Sequence, residues 1–170
     1  MEDKKIKKMV AAAMFAAFTC VATMIIRIPI PATGGYIHPG DALVILSGVF
    51  LGPLYGLLAA GIGSALADLI GGYFIYVPIT FVIKGLVALL AGAIYKRSGK
   101  STKSRLLSVA LGGVGDLLLV VLLYAFAEFF LYGGAAAIGG MGPNAVQGLG
   151  GLVLALVLYP VLEKAYHAIS

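Results

Sequence analysis

Between Met9 and Ile26 the chain runs for eighteen residues without a full charge, and uncharged stretches of the same character recur as far as Leu162. A helix rises 1.5 Å per residue, so a run of about that length can cross a hydrocarbon core of roughly 30 Å. Of the 170 residues, 61% are hydrophobic and 11% charged. Soluble domains are nearer one-quarter charged, because their surface must face water. Too few polar side chains are present to coat a globule, so lipid is expected to cover most of the surface. The reading is an all-α membrane protein, a bundle of six transmembrane helices forming one domain over residues 1–170. Lys4, Lys5, Lys7 and Lys8 ahead of the first run superficially resemble the start of a secretory leader. The run is long enough to span, however, and no small-residue cleavage site leads into a polar domain, so it reads as the first transmembrane helix. Cys20, the single cysteine, lies inside it, and no disulfide framework exists.

The net charge of +5 would suggest nucleic acid in a soluble protein, but its placement argues against that partner. Four lysines stand at the amino terminus, Lys96, Arg97, Lys100, Lys103 and Arg105 share one short segment, and Lys164 lies near the carboxyl end. Cytoplasmic ends and loops carry such an excess of Lys and Arg. Both termini are therefore expected in the cytoplasm, and the three outer loops contain neither Lys nor Arg.

Helices are expected at about 9–27, 42–51, 54–70, 77–95, 106–132 and 143–166. Three prolines and three glycines between Ile28 and Gly40 forbid a regular helix and predict a long outer loop. Asp41 suits the N-cap of the second helix. Gly52-Pro53 predicts a sharp inner turn, Gly71-Gly72 an outer break, and residues 133–142 (GGAAAIGGMG) a second flexible outer loop. Pro143 fits the first turn of helix six. The second helix is too short to cross alone. Gly48, Gly52 and Gly56, then Gly63, Ala67 and Gly71, repeat every four residues, and Ala12/Ala16 and Ala13/Ala17 form two such pairs in helix one. Small residues at that spacing let helices approach closely. They serve the bundle itself or, where they face lipid, the docking of another subunit.

No phosphate-binding loop, zinc-protease or nucleophile-elbow pattern occurs. His38 and His167 fall on opposite sides of the membrane and cannot share a metal. No catalytic residue, metal or cofactor is expected, and active transport by such a chain must draw on a partner or an ion gradient. The remaining polar groups gather at the outer ends of the helices. Tyr36 and His38 overhang from the first loop, Asp68 ends helix three, Tyr73 and Tyr76 follow, and Glu128 lies near the end of helix five. Asn144 and Gln147 are three apart and share a face. Together they can form an outward-facing pocket for a neutral aromatic ligand. Helix capping and interfacial anchoring account equally well for Asp41, Asp68 and Tyr73. Lys84 and Asp116 lie deeper, where charge is expensive and defaults to a functional or paired role. Lys84 is expected to snorkel into the pocket floor, Asp116 to be structural and to pair with it, and Arg27 to cap the outer end of helix one.

The run from Gly34 to Ala42 (GGYIHPGDA) resembles the first-loop signature of the substrate-binding S components of energy-coupling-factor (ECF) vitamin transporters. Leu51-Gly52-Pro53-Leu54-Tyr55-Gly56, the run from Gly63 to Leu69, Tyr76-Val77-Pro78, Lys84-Gly85, Glu128 and the run from Pro143 to Gln147 are similar too. The likeness covers nearly the whole chain and is strongest to the riboflavin and hydroxymethylpyrimidine branch. It implies a six-helix vitamin-capture subunit of an ABC-type importer in the bacterial cell membrane, binding its ligand near the outer surface. It further implies docking through a small-residue motif, matched here by Ala12, Ala13, Ala16 and Ala17. The partner is a transmembrane coupling subunit of the EcfT type that carries two ATPase subunits. Asp116 falls outside the pattern. A pocket with several carboxylates and amides suits hydroxymethylpyrimidine first, then pyridoxine, then the larger riboflavin. Two other readings stay open: a self-sufficient proton-coupled carrier or channel with Asp68, Lys84, Asp116 and Glu128 as relay, and an intramembrane enzyme, which the missing nucleophile–base pair weakens.

Overall fold

The computed structural model describes the backbone of residues 2–169 and the side chains of residues 5–166. Lys4 and His167 lie outside the described side chains. Helix α1 (Glu2–Ile25) leads into a short antiparallel hairpin of β1 (Ile28–Ile30) and β2 (Gly35–Ile37). Helices α2 (Asp41–Leu51), α3 (Pro53–Gly71), α4 (Tyr76–Lys96), α5 (Thr102–Tyr132) and α6 (Gly134–Ile169) follow. Five of the six are long and apolar enough to cross a membrane, and α2 is the exception.

At 11 residues α2 spans only ~16 Å. It is apolar on every side, and a helix of that kind must be buried all round. Nine of its residues are. The other helices wrap it: α1 packs on α3, α3 on α4, α4 on α5 and α5 along α6, while α2 touches α1, α3, α4, α5 and α6. Glycine makes the closest approaches possible. A Cβ on Gly48 would run into the carbonyl oxygen of Ala88 in α4. Gly52, at φ 82°, turns the chain between α2 and α3, so the turn expected at Gly52-Pro53 is present. Gly72 adopts a left-handed conformation and donates back to α3, and Tyr73 N–H donates to the Asp68 carbonyl at 2.9 Å, closing α3 at the break expected at Gly71-Gly72.

The polarity of the bundle is inverted relative to a water-soluble protein. Met14, Phe18, Val21, Phe126, Phe130, Val153, Val157 and Val161 are exposed, whereas Thr19, Thr23, Asp41, Lys84, Asp116 and Glu128 are buried. A surface of this kind has lipid as its solvent.

Three expectations need correction. The first outer loop is not irregular throughout: Ile28 pairs with Ile37 and Ile30 with Gly35. Pro29 fits within β1 because a two-stranded ribbon leaves one edge of each strand unpaired, and Gly34 at φ 65° makes the turn. Residues 133–142 are not a flexible loop. Helix α6 begins at Gly134, nine residues before the start expected at Pro143, which therefore lies inside it. Finally, Gly40 rather than Asp41 precedes α2, with no side-chain cap. The Asp41 carboxylate points inward and has other partners.

Candidate functional site

The hairpin folds over the ends of α3, α4, α5 and the first third of α6. Beneath it lies a narrow cavity of about 30 Å³ lined by Ile30, Gly35, Tyr36, His38, Asp68, Tyr76, Thr80, Tyr124, Glu128, Asn144 and Gln147. Seven side chains picked from the sequence thus meet at one place: Tyr36, His38, Asp68, Tyr76, Glu128, Asn144 and Gln147. An open vestibule of about 570 Å³ beside it, lined by Thr33, Gly34, Tyr73, Phe74, Tyr132 and others, shares Tyr76 with the cavity.

Each wall has a local cause. Tyr76, Thr80 and Lys84 are spaced by four along α4 and so face the same way. Asp116, Val120, Tyr124 and Glu128 form the equivalent stripe on α5. Thr80 Oγ1 and the Tyr124 hydroxyl share a hydrogen bond at 2.9 Å. Tyr76 donates to the Thr33 carbonyl at 3.1 Å and lies 3.5 Å from Glu128 Oε1. Tyr36 donates to Asp68 Oδ1 at 2.7 Å, and its ring packs on Tyr73 with centroids 4.5 Å apart. Arg27, expected to cap helix one, reaches α3 instead. Its guanidinium lies 4.9 Å over the Tyr36 ring and donates to the Ala67 carbonyl at 3.1 Å, which ties the hairpin to α3. Thr80 and Tyr124 were missed in the sequence, although their spacing from Tyr76 and Glu128 carried the signal.

Lys84 does not reach the cavity. Its ammonium sits one turn below, 2.5 Å from Asp41 Oδ1, and both side chains are fully buried. Asp41 Oδ2 accepts from Gln147 Nε2 at 2.8 Å, and Gln147 Oε1 accepts the backbone N–H of His38 at 3.0 Å. The expected Lys84–Asp116 pair is therefore replaced by Lys84–Asp41. Asp116 is fully buried, and neither of its oxygens has a hydrogen-bond partner among the described residues. It approaches Asp41 across Gly151, where a Cβ would stand 2.6 Å from Asp41 Cβ and 3.2 Å from Asp116 Oδ2.

The His38 ring, in the hairpin segment, accepts the Gly40 N–H at Nδ1. Burial pushes its pKa down to about 4, against a smaller upward pull from Asp41. It is neutral at pH 7, with the proton on Nε2. Burial and the bond to Asp68 push the Tyr36 hydroxyl well above its usual range, so it remains a donor. Three polar atoms at the cavity have no hydrogen-bond partner among the described residues: Asp68 Oδ2, Glu128 Oε2 and Asn144 Nδ2. Buried polar atoms without partners mark where a ligand or water supplies the missing bond. No cluster of three or more His, Cys, Asp or Glu able to hold a metal is present among the described residues.

The four helix-one alanines divide. Ala13 and Ala17 are exposed, whereas Ala12 and Ala16 are half-buried. A Cβ on Gly63 of α3 would collide with the Ala16 carbonyl oxygen, so the Ala16 side of α1 packs within the bundle.

The bundle carries its charge inside and closes one end over a small polar cavity. Known proteins agree in sequence and fold. Residues 3–164 match the family model described as ECF-type riboflavin transporter, S component. The chain is 32% identical over 165 residues to the thiamine precursor transporter HmpT of Lactococcus lactis subsp. cremoris (strain MG1363), covering 96% of this chain and 92% of that one. It is 39% identical over 145 residues, 85% of this chain and 93% of the other, to a Pyrococcus woesei protein described as an uncharacterized protein in a gap 3′ region. A structure described as that of the S component of a bacterial ECF transporter superposes with TM-score 0.72 at 24% identity, covering 94% of this chain and 97% of that one. At that identity the superposition speaks for the fold alone. The chain belongs to the ECF-type riboflavin transporter S-component family, a family of membrane transport components rather than of enzymes.

Proposed function

We propose that this chain is the substrate-binding subunit of an ECF-type importer. It captures a small heteroaromatic vitamin or precursor from outside and hands it to an ATPase-driven coupling module. The observation that carries the reading is the set of unpaired atoms at the cavity: two carboxylate oxygens and one amide N–H. The complementary ligand offers two donors and one acceptor around a flat ring, with Tyr36, Tyr76 and Tyr124 supplying aromatic faces. Hydroxymethylpyrimidine has an exocyclic amine, a hydroxyl and ring nitrogens, and is the first candidate. The similarity to a thiamine precursor transporter points the same way. Pyridoxine is second, and riboflavin needs more room. A cavity of about 30 Å³ has space for only a couple of waters at roughly 10–15 Å³ each. Ligand capture therefore requires the hairpin to lift, with the vestibule between Thr33, Tyr73 and Tyr132 as the way in.

In this reading the chain is one domain that crosses six times with both termini in the cytoplasm. The short α2 completes its crossing shielded by its neighbours. The EcfT-type coupling subunit, with its two ATPases, docks on the small-residue face of α1 at Ala12, Ala13, Ala16 and Ala17. Ala13 and Ala17 supply the exposed contact and Ala12 and Ala16 hold that face against the bundle. Uptake in a host that lacks the coupling ATPases separates this from a self-sufficient carrier. Accumulation is expected only when the module is supplied, and robust accumulation without it would overturn the reading.

A further inference from the structure

Lys84 was expected at the ligand, yet it lies beneath the pocket, and what it does there follows from the order of the hydrogen bonds. An amide side chain has a donor end and an acceptor end, so its orientation is set by its neighbours. Gln147 stands between two groups that each tolerate only one choice. Above it, the His38 backbone N–H can only donate, so the carbonyl must face upward. Below it, Asp41 Oδ2 receives the amide N–H, which requires an acceptor. Asp41 is acceptor-only because it is ionised, and in a fully buried position it is ionised because the Lys84 ammonium is 2.5 Å from its other oxygen. A carboxyl group in this setting without its counter-ion takes up a proton rather than bear the desolvation cost of the charge. It can then donate to Gln147, turn the amide over, and set N–H against N–H at His38.

We propose that Lys84 and Asp41 are positioning residues that latch the hairpin over the pocket through the amide of Gln147. The ammonium on α4 fixes the carboxylate on α2, the carboxylate orients the amide on α6, and the amide holds β2 closed by the His38 N–H. The latch also sets the polarity of the pocket. With the Gln147 N–H₂ group committed downward, the cavity wall keeps an excess of acceptors, so the site selects rings rich in donor groups. This last point rests on the proposed capture function; the latch itself does not.

The test uses hydrogen–deuterium exchange of residues 35–40 in the purified full chain, without ligand, for wild type, Lys84→Met and Lys84→Arg. Amide exchange at His38 is expected to rise at least tenfold in Lys84→Met. Amides within α2 and α4 should keep their protection, and Lys84→Arg, which keeps the charge, should stay near wild type. If Lys84→Met is folded and the hairpin exchanges as in wild type, or if exchange rises equally in α2, α4 and the hairpin, the latch is refuted. Should Lys84→Met not yield folded protein, the double variant Asp41→Leu/Lys84→Met removes both charges with little change of shape. It offers the amide no acceptor, so the same selective loss at His38 is expected, and an unchanged hairpin refutes the latch. A second readout is the dissociation rate of hydroxymethylpyrimidine. It should rise at least tenfold in the folded variant with little change in the association rate. If no ring compound binds even wild type while His38 protection still depends on Lys84, the latch stands and the ligand assignment falls.

Discussion

Lys84 illustrates what a single residue can and cannot reveal from its place in a sequence. A lysine inside an apolar run must find a partner or water. The sequence offered Asp116 and the pocket as destinations, whereas the partner is Asp41, 43 positions away, and only the packing of α2 against α4 decides it. The polar residues of the outer ends were easier to recognise, because carboxylates and amides near span termini have few reasons to be buried. Glu128 and Asn144 each present an unpaired atom to the cavity. Replacing Glu128 with Ala should weaken ligand binding about 10- to 100-fold, the weight of a hydrogen bond to a charged group at ~1.5–3 kcal/mol, and replacing Asn144 about 3- to 10-fold, the weight of a neutral one at ~0.5–1.5 kcal/mol. Unaltered affinities in calorimetry would remove them from the site. His38 makes a pH prediction. Its pKa falls from 6.5 in the unfolded chain to about 4 when the hairpin is closed. The stability it contributes is whole above pH 6.5 and is lost as pH falls from there toward 4, because the unfolded form takes the proton first. Melting temperatures of wild type should drop over that window more steeply than those of His38→Asn, and parallel curves would contradict the assignment.

At the scale of elements, the helices and their breaks were legible wherever glycine or proline enforces a turn, as at Gly52 and Gly72. The same residues misled in 133–142, where five glycines suggested a flexible loop. Gly139 and Gly140 serve close packing instead. A Cβ on Gly140 would collide with Glu128 Oε2, and one on Gly139 would stand 2.7 Å from Ala32 Cβ. The intervening alanines favour helix, so the start of α6 can tuck beneath the hairpin. The hairpin itself was hidden because its strands are three residues each and β1 has Pro29 at its centre. Gly48 offers a test of α2 as the core. Gly48→Val must displace the Ala88 carbonyl in α4, and it should lower the melting temperature by several degrees or abolish folded yield, overpacking of this kind costing ~1–3 kcal/mol. An unchanged melting temperature would mean that α2 and α4 are not in contact. On α1, Ala13 is exposed and Ala16 is packed toward α3. Ala13→Leu should therefore leave ligand binding and stability intact while abolishing copurification with the coupling subunit. Unchanged copurification would refute docking on that face.

For the whole molecule, the inverted polarity, with aliphatic and phenylalanine side chains outside and charge within, follows from composition and could be read before any fold was known. The assignment of inside and outside rests on Lys and Arg placement, and the meeting of seven side chains under one hairpin required the fold. Both fit the proposal of an outward-facing receptor whose energy source lies in other subunits. That claim is tested most directly by calorimetric titration of the purified full chain with hydroxymethylpyrimidine, pyridoxine and riboflavin. Tight one-to-one binding of a small donor-bearing ring, weakened by Glu128→Ala and Asn144→Ala, is the result expected. Folded protein that binds none of the three, or binds one with affinity indifferent to both substitutions, would contradict it.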